Sequence, residues 1–172
     1  TLLSFSEKTE IGIVEMGANH QKEIEFLCQI AQPDYGYITN FGKAHLEGFG
    51  GIEGVRKGKG ELFVYLRQHN GTAFIMNDYD YLREMSQEIR EVITYGTHDA
   101  SLTGTATLNK EFLEVNIHSG IAINKITTNL VGEYNLPNIL AAVAIGRYFN
   151  VPAEKIKLAI EKYSPSNSRS QL

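Results

Sequence analysis

Two short polar strings, each directly after an apolar run, contain the residues of this chain that are best suited to chemistry. Residues 11–14 lead into Glu15, and residues 35–38 lead into a string that contains His45. Buried parallel strands often end in this way, and their carboxyl ends line a ligand crevice. We therefore expect Glu15 and His45 to lie side by side at strand ends. A carboxylate and an imidazole in this position indicate a metal or phosphate site; the alternative is that both side chains simply bind loop backbone.

The segment 52–66 holds a second candidate group. Gly58 and Gly60 bracket Lys59 there, with Lys57 as a neighbour. Glycine disfavours a helix interior by about 1 kcal/mol relative to alanine, and such local conflicts tend to mark functional positions. Judged by residue type alone, the two lysines would be ordinary solvated side chains on a helix surface.

The elements that position these groups alternate between strand and helix along the first half of the chain. Short apolar runs predict strands, and helical spacing of apolar residues predicts helices between them. The predicted strands are residues 11–16, 35–38, 72–76 and 92–95, and the predicted helices are residues 20–31, 52–66 and about 80–90. An Asn or Asp within residues 77–80 is expected to cap the last of these helices. This alternation indicates a parallel sheet with helices on both faces.

The pattern changes after residue 101. Apolar residues alternate with polar ones across residues 102–130, with a turn at Ser119 and Gly120, which predicts a small antiparallel sheet of two or three strands. An alanine-rich helix over residues 136–149 and a final helix over residues 152–163 follow. The sequence therefore predicts an α/β protein in which a small antiparallel sheet accompanies the parallel one.

Composition disfavours several classes of function. With 172 residues, 42% of them hydrophobic, the chain is long enough to bury a core, and we expect one domain. A net charge of -4 with scattered Lys and Arg disfavours a nucleic-acid partner. Because the chain has no run of about 18 apolar residues and no basic-then-apolar start, we expect a cytoplasmic protein without membrane insertion. The sequence leaves the oligomeric state open, with a monomer as the expectation. Cys28, the single cysteine, is expected to be a buried structural thiol.

Four strings, taken together, resemble the ATP-dependent Mur ligases of peptidoglycan synthesis. They are Glu15-Met-Gly-Ala-Asn-His20, Thr39-Asn40 with Ala44-His-Leu-Glu-Gly-Phe-Gly50, Lys59-Gly-Glu-Leu-Phe63, and Gly132 to Asn138 followed by the Ala141-Ala142 helix. Their order and approximate spacing match the family, and the resemblance covers nearly the whole chain. It corresponds to the family's central ATPase domain, so we expect residues 1–163 to be part of that domain and residues 164–172 to be a linker to a carboxy-terminal domain. The family's phosphate loop is expected upstream of Thr1.

The resemblance implies a role for each matching residue. Glu15 and His45 correspond to the family's magnesium-site residues, and Lys59 corresponds to the lysine that is carbamylated, which turns a cation into an anionic oxygen ligand. Mg²⁺ prefers oxygen ligands, so Glu15 suits it directly, whereas His45 is expected to act partly through water. Asn40 corresponds to a cofactor-binding position. We choose Lys59 over Lys57 because it opens the Lys-Gly-Glu-Leu-Phe string.

Asn135 and Asn138 match the family's asparagine pair near the adenine. Three residues apart at a helix start, two amides face the same way and offer donors and acceptors to a purine edge. Asn135 can at the same time serve as the helix N-cap. Arg169 matches a linker arginine that reaches the ATP phosphates, but the tail lacks the proline-glycine pair that often precedes it. Lys43 stands where many relatives carry an acidic residue, and nothing in the sequence explains that change.

The activity that the resemblance implies is amide formation with ATP and Mg²⁺ as cofactors. In the branch that these strings match most closely, ATP phosphorylates the terminal carboxylate of a UDP-N-acetylmuramoyl-tripeptide, and the amine of D-alanyl-D-alanine attacks the acyl phosphate. Two alternatives stay open: a related ligase that adds glutamate to folate, and a non-catalytic nucleotide- or metal-binding fragment. We expect the chain alone to be inactive, because it contains no G-x-x-x-x-G-K-[ST] phosphate loop.

Overall fold

The computed structural model of this chain describes residues 5–39, 51–109 and 111–165. Within these residues, six strands form one sheet in chain order. They are β1 Tyr35–Tyr37, β2 Thr72–Met76, β3 Glu91–Gly96, β4 Leu102–Asn109, β5 Phe112–Ser119 and β6 Lys125–Thr127. The helices of the same residues are α1 Glu23–Ala31, α2 Ile52–Gln68, α3 Asp80–Met85, α4 Leu136–Tyr148 and α5 Ala153–Lys162, with a 3-10 turn at Glu133–Asn135. The chain divides into two compact units, residues 1–73 with 88–91, and residues 74–87 with 92–172.

The first unit is built on α1, β1 and α2. α1 packs against α2, and α2 packs against β1. The apolar face of α2 supplies much of this core, because Val55, Phe63 and Leu66 are at most 2% exposed. Cys28 of α1 is fully buried, and burial, with the charge of Glu61 as a smaller cause, raises the pKa of its thiol to about 11. The prediction of a buried structural cysteine is therefore confirmed.

The second unit contains the antiparallel strands β4, β5 and β6. Leu113, Val115 and Ile126 alternate inward from these strands and are fully buried, which confirms the period-two pattern of the sequence. α4 packs on β4 and β5, and α5 packs on α4 and β6. β3 pairs with β4 in parallel at the pairs Tyr95↔Leu102 and Gly96↔Thr103. The parallel and antiparallel parts therefore belong to one mixed sheet of an α/β fold.

The predicted strand at residues 11–16 is wrong, because residues 11–18 form neither helix nor strand. Ile11 is 56% exposed and Ile13 is 83% exposed, so this apolar run is not buried among the residues that the structure describes. A strand is stable only when a neighbouring strand satisfies its backbone hydrogen bonds. The sequence of an apolar run does not identify which segment of the chain forms that neighbouring strand. The sequence pattern placed Glu15 at the end of a strand, and the structure shows that Glu15 does not follow one.

Two predicted helices are shorter than expected. α1 begins at Glu23 and not at residue 20, because Lys22 has a left-handed backbone with φ 70°. α3 ends at Met85, well before residue 90, and Glu88 beyond it has φ 64°. The N-cap of α3 is Tyr79, without a side-chain cap bond, so the expected Asn or Asp cap is also wrong. The other predicted strands and helices that the structure describes agree with it to within about two residues, namely those at 35–38, 52–66, 72–76, 92–95, 136–149 and 152–163.

Candidate functional site

Lys59 lies inside α2, in an environment unlike that of its neighbour Lys57. Gly58 and Gly60 on either side of Lys59 are buried, the Lys59 side chain is half-buried, and Lys57 is exposed. Burial lowers the pKa of the Lys59 amine from its ordinary value, because the charged form loses hydration. A larger share of this amine is therefore neutral, which is the form in which a lysine acts as a nucleophile.

Glu15 lies on an exposed stretch that leads into a hydrogen-bonded turn before α1. Its side chain is exposed and therefore open to a cation. In the turn, the backbone N–H groups of Asn19 and His20 donate to one carboxylate oxygen of Glu23 at 2.7 and 3.1 Å, and the His20 ring Nδ1 lies 3.2 Å from the other oxygen. These backbone hydrogen bonds hold the pKa of Glu23 below its ordinary value. Asn19 and His20, the last two residues of the string that begins at Glu15, are therefore held in place through their backbone N–H groups.

A pocket of about 420 Å³ opens in the second unit. Its walls come from the end of β2 and the residues after it, the residue after β3, the middle of β4, and the turn at the start of α4. The lining residues are Met76, Asp78, Tyr79, Thr97, Thr105, Ala106, Glu133, Tyr134, Leu136 and Pro137. Aromatic and apolar walls with a few polar groups are typical of small-molecule sites, and such sites measure about 300–1,000 Å³.

Asp78 organises the polar wall of this pocket. Its two carboxylate oxygens accept the backbone N–H of Thr97 at 3.0 and 3.1 Å, and one of them accepts the Thr97 hydroxyl at 2.8 Å. The His98 ring Nδ1 lies 3.4 Å from the Asp78 carboxylate. The neighbouring Asn77 donates through its side chain to the carbonyl of Asp99 at 2.8 Å. The residues after β2 and those after β3 are therefore held together by side-chain hydrogen bonds.

Asn135 and Asn138 flank the part of the pocket wall that Leu136 and Pro137 form. Asn135 is 5% exposed, and its Nδ2 donates to the carbonyl of Val131 at 2.9 Å. Its expected place at the N-cap of α4 is confirmed, but its side chain makes no cap hydrogen bond. Asn138 is exposed. The pair therefore combines a buried amide, whose donor binds the backbone, with an amide that solvent reaches.

The structure describes some of the predicted site residues and not others. Those outside the described residues are Asn40, His45 and Arg169, and Lys43 lies there as well. Those in the first unit are Glu15 and Lys59, and those in the second unit are Asn135 and Asn138. Across residues 5–39, 51–109 and 111–165, no three His, Cys, Asp or Glu side chains converge as a metal ion would require, so the metal assignments stay predictions. Over those same ranges, no helix has the length and apolar character to cross a membrane.

Sequence reasoning missed Asp78, Thr97 and Tyr134 as pocket residues. An Asn or Asp within residues 77–80 was expected to cap a helix. Asp78, however, lies two residues after the end of the fully buried apolar strand β2, and a polar residue after such a run is the signal that drew attention to Glu15. That signal could have identified Asp78. Thr97 and Tyr134 carry no comparable local signal, because their place in the pocket depends on contacts that are distant in sequence.

Comparisons with known proteins match this chain to the Mur ligases. The family model described as the Mur ligase middle domain matches residues 1–146. The chain is 33% identical to the UDP-N-acetylmuramoyl-tripeptide:D-alanyl-D-alanine ligase of Haemophilus influenzae over 179 residues, which cover 98% of this chain and 37% of that ligase. A crystal structure of MurF from Acinetobacter baumannii has a TM-score of 0.87 at 27% identity, over 98% of this chain and 37% of that one.

A more distant structure extends the likeness of fold. The MurF ligase from Thermotoga maritima in complex with ADP has a TM-score of 0.77 at 21% identity, over 90% of this chain and 36% of that one. At this identity the similarity concerns the fold alone. The chain spans 37–38% of the length of the first three curated relatives that it matches.

Proposed function

Because the chain belongs to the Mur ligase family, we propose that it forms the nucleotide-binding middle part of an ATP-dependent ligase that makes an amide bond in peptidoglycan precursor synthesis. The substrates that we assign are UDP-N-acetylmuramoyl-tripeptide and D-alanyl-D-alanine, and we assign the reaction to the cytoplasm. The observation that carries this assignment is the similarity of nearly the whole chain to ligases named for these substrates. In this proposal, the phosphate loop and the amine-binding part lie outside residues 1–172, and residues 164–172 are a linker. The chain alone would then have no turnover.

The reaction that we assign must overcome repulsion between negative groups. Transfer of the γ-phosphoryl group of ATP to the tripeptide carboxylate gives ADP and an acyl phosphate. The amine of D-alanyl-D-alanine then attacks the carbonyl carbon, the C–O bond to phosphate breaks, phosphate leaves with the electron pair, and the amine loses a proton. A carboxylate and an anionic phosphate repel each other, so groups that neutralise charge at the phosphates carry most of the catalysis.

We assign Lys59 a central part in that neutralisation. Its half-buried amine has a lowered pKa, which favours the neutral form. The neutral amine forms an N–C bond to carbon dioxide and releases one proton to solvent, which gives an anionic carbamate. The carbamate oxygens and the exposed Glu15 carboxylate are of the ligand type that Mg²⁺ prefers, and His45 would complete the site partly through water. Bound Mg²⁺ would supply positive charge at the phosphates. Lys57, by contrast, is exposed.

We assign the pocket of the second unit to the base of ATP. Tyr134 lines the pocket and offers an aromatic face to a purine. Asp78, held in place by Thr97, offers an acceptor to an exocyclic amino group. The amides of Asn135 and Asn138 lie at the same end of α4 and would bind the edge of the base. From the resemblance alone, we assign Arg169 to the ATP phosphates and Asn40 to a cofactor-binding position.

The experiment that tests this function measures ADP release and product mass with the full-length enzyme. We expect ADP release only when ATP, Mg²⁺, UDP-N-acetylmuramoyl-tripeptide and D-alanyl-D-alanine are all present, with one amide formed per ADP. Glutamate with a folate serves as the matched alternative substrate pair. Amide formation with that pair, and none with the cell-wall substrates, would replace the proposed function with folate ligation. ADP release without any amide product would contradict a ligase.

A further inference from the structure

Glu61 lies two residues after Lys59 on α2, and its carboxylate binds the start of a different helix. One oxygen accepts the backbone N–H of Lys22 at 2.6 Å, and the other accepts the backbone N–H of Glu25 at 3.0 Å. These donors precede Glu61 by 39 and 36 residues. Both carboxylate oxygens are thus used to join α2 to the first turn of α1.

α1 needs such an acceptor because it has no cap of its own. The N–H groups of a helix's first turn have no partner within the helix, and a Ser, Thr, Asp or Asn side chain at the N-cap usually satisfies one of them. Here the N-cap is Lys22, in a left-handed conformation, and it makes no side-chain cap bond. Glu61 therefore does from α2 what a capping side chain ordinarily does locally.

The same turn is held from its other side by Glu23, which accepts the N–H groups of Asn19 and His20. Two carboxylates therefore bind four backbone N–H groups between residues 19 and 25. Glu15 lies seven residues before Lys22 on the stretch that ends in this turn. The contact made by Glu61 consequently fixes where the Glu15 stretch leaves α1 relative to α2.

The side chains of Glu61 and Lys59 leave α2 in different directions. Successive residues of an α-helix are rotated by about 100°, so Lys59 and Glu61 point about 200° apart around the axis of α2. Glu61 faces α1, and Lys59 therefore projects from another side of α2. The Lys and Glu side chains of the Lys-Gly-Glu string therefore leave α2 on different sides.

We propose that Glu61 is a positioning residue of the ligase site, which sets the Glu15 stretch relative to the helix that carries Lys59. This inference depends on the function proposed above for Glu15 and Lys59. It gives a reason why a glutamate follows so soon after the candidate modified lysine. It also predicts that loss of Glu61 weakens the use of Mg²⁺ more than the binding of ATP.

The test compares Glu61→Gln with Glu53→Gln in the full-length enzyme. Gln at position 61 keeps the shape of the side chain but has one acceptor oxygen and no charge. Glu53 is on the same helix, its side chain is 85% exposed, and it pairs with Arg56 at 3.0 Å, so its variant controls for loss of a carboxylate on α2. We measure amide hydrogen exchange at Lys22 and Glu25, kcat, the KM for ATP, and the Mg²⁺ concentration for half-maximal rate.

For Glu61→Gln we expect exchange at the two amides about tenfold faster. We also expect kcat about 10- to 100-fold lower, a higher Mg²⁺ requirement, and a KM for ATP within about twofold of the original. Glu53→Gln should leave all four quantities unchanged. If Gln at position 61 prevents folding, Glu61→Asp, which keeps the charge on a shorter side chain, is expected to show the same pattern.

Three results would overturn the proposal, each at a different step. Unchanged amide exchange in Glu61→Gln would show that the carboxylate does not hold the turn. Faster exchange with unchanged kcat and Mg²⁺ requirement would make Glu61 a purely structural residue. No amide product from the unaltered enzyme would overturn the proposed function, and with it the positioning role, whatever the exchange rates are.

Discussion

Replacement of Asp78 by alanine is expected to destabilise the second unit, because this carboxylate is the main acceptor for Thr97. Asp78 is 17% exposed and accepts both the backbone N–H and the hydroxyl of Thr97. Hydrogen bonds to a charged group contribute about 1.5–3 kcal/mol each, so two of them would be worth about 3–6 kcal/mol if fully buried. Water can reach part of this site and replace part of the loss. We therefore expect Asp78→Ala to lower the free energy of unfolding by about 2–3 kcal/mol.

Asp80 supplies a matched control two residues away. Its side chain is 79% exposed and pairs with Arg83 at 2.6 Å, and exposed ion pairs are worth about 0–1 kcal/mol. The assay is urea unfolding of the chain followed by far-UV circular dichroism, since the chain contains no tryptophan to report fluorescence. Asp78→Ala should unfold at a clearly lower urea concentration than Asp80→Ala, with a similar m-value. Equal midpoints for the two variants would refute the energetic role assigned to Asp78.

Three further predictions follow from single residues. Gly120 has φ +97°, and a Cβ there would lie 2.5 Å from the carbonyl of Ser101, so Gly120→Ala should lower the free energy of unfolding by about 1–3 kcal/mol in the same urea assay; an unchanged midpoint would contradict this. Cys28, fully buried with a thiol pKa raised to about 11, should resist alkylation at pH 7.5 in the folded chain and react fully in urea, as mass spectrometry would show. Burial holds the pKa of Lys59 below the ordinary 10.5, so at this amine the unfolded chain binds more protons between the two pKa values, and the contribution of Lys59 to stability should rise with pH in that window. The raised pKa of Cys28 acts in the opposite direction in both chains, so the test is a difference between them. The stability of the original chain relative to Lys59→Met, measured by urea unfolding, should rise with pH across this range, and a constant difference would contradict the assignment.

The sequence predicted best those elements whose boundaries have a local cause. The strand at residues 72–76 was predicted with its observed bounds, because five residues that are all buried lie between Gly71 and Asn77. The alternation of β5 was also readable, since a strand with one buried face repeats every two residues. In these cases side-chain type alone decides which face is buried.

The failures concern features whose cause is distant in the chain. The apolar run at residues 11–16 looks like a buried strand, but burial depends on a neighbour that the run itself does not specify. The helix predicted to extend to residue 90 ends at Met85, and Glu88 beyond it has a left-handed backbone. The helical spacing of apolar residues does not indicate this early end.

In the candidate site, too, residue types could be predicted from the sequence, but contacts between residues distant in the chain could not. Lys59 was chosen from a resemblance, and its half-buried position beside an exposed Lys57 was not visible in residue type. Asp78 belongs to the segment 77–80, which was expected only to supply a helix cap, yet the partner of Asp78 is Thr97, 19 residues away. Glu61 acts across 39 residues on a backbone N–H, and backbone donors leave no trace in a sequence. Side-chain chemistry could therefore be proposed from the sequence, whereas the contacts that position it could not.

The measurement that tests the account most directly compares kcat/KM for amide formation in Lys59→Met and Lys57→Met of the full-length enzyme. Methionine is unbranched and one side-chain atom shorter than lysine, and it cannot form a carbamate. We expect Lys59→Met to lose about 10²–10³-fold in rate, the size of effect that follows removal of one strong electrostatic contact in a transition state. Lys57→Met should stay within about twofold of the original enzyme. Near-normal turnover in Lys59→Met, or an equal loss in both variants, would contradict the role of Lys59 on which the proposed site depends.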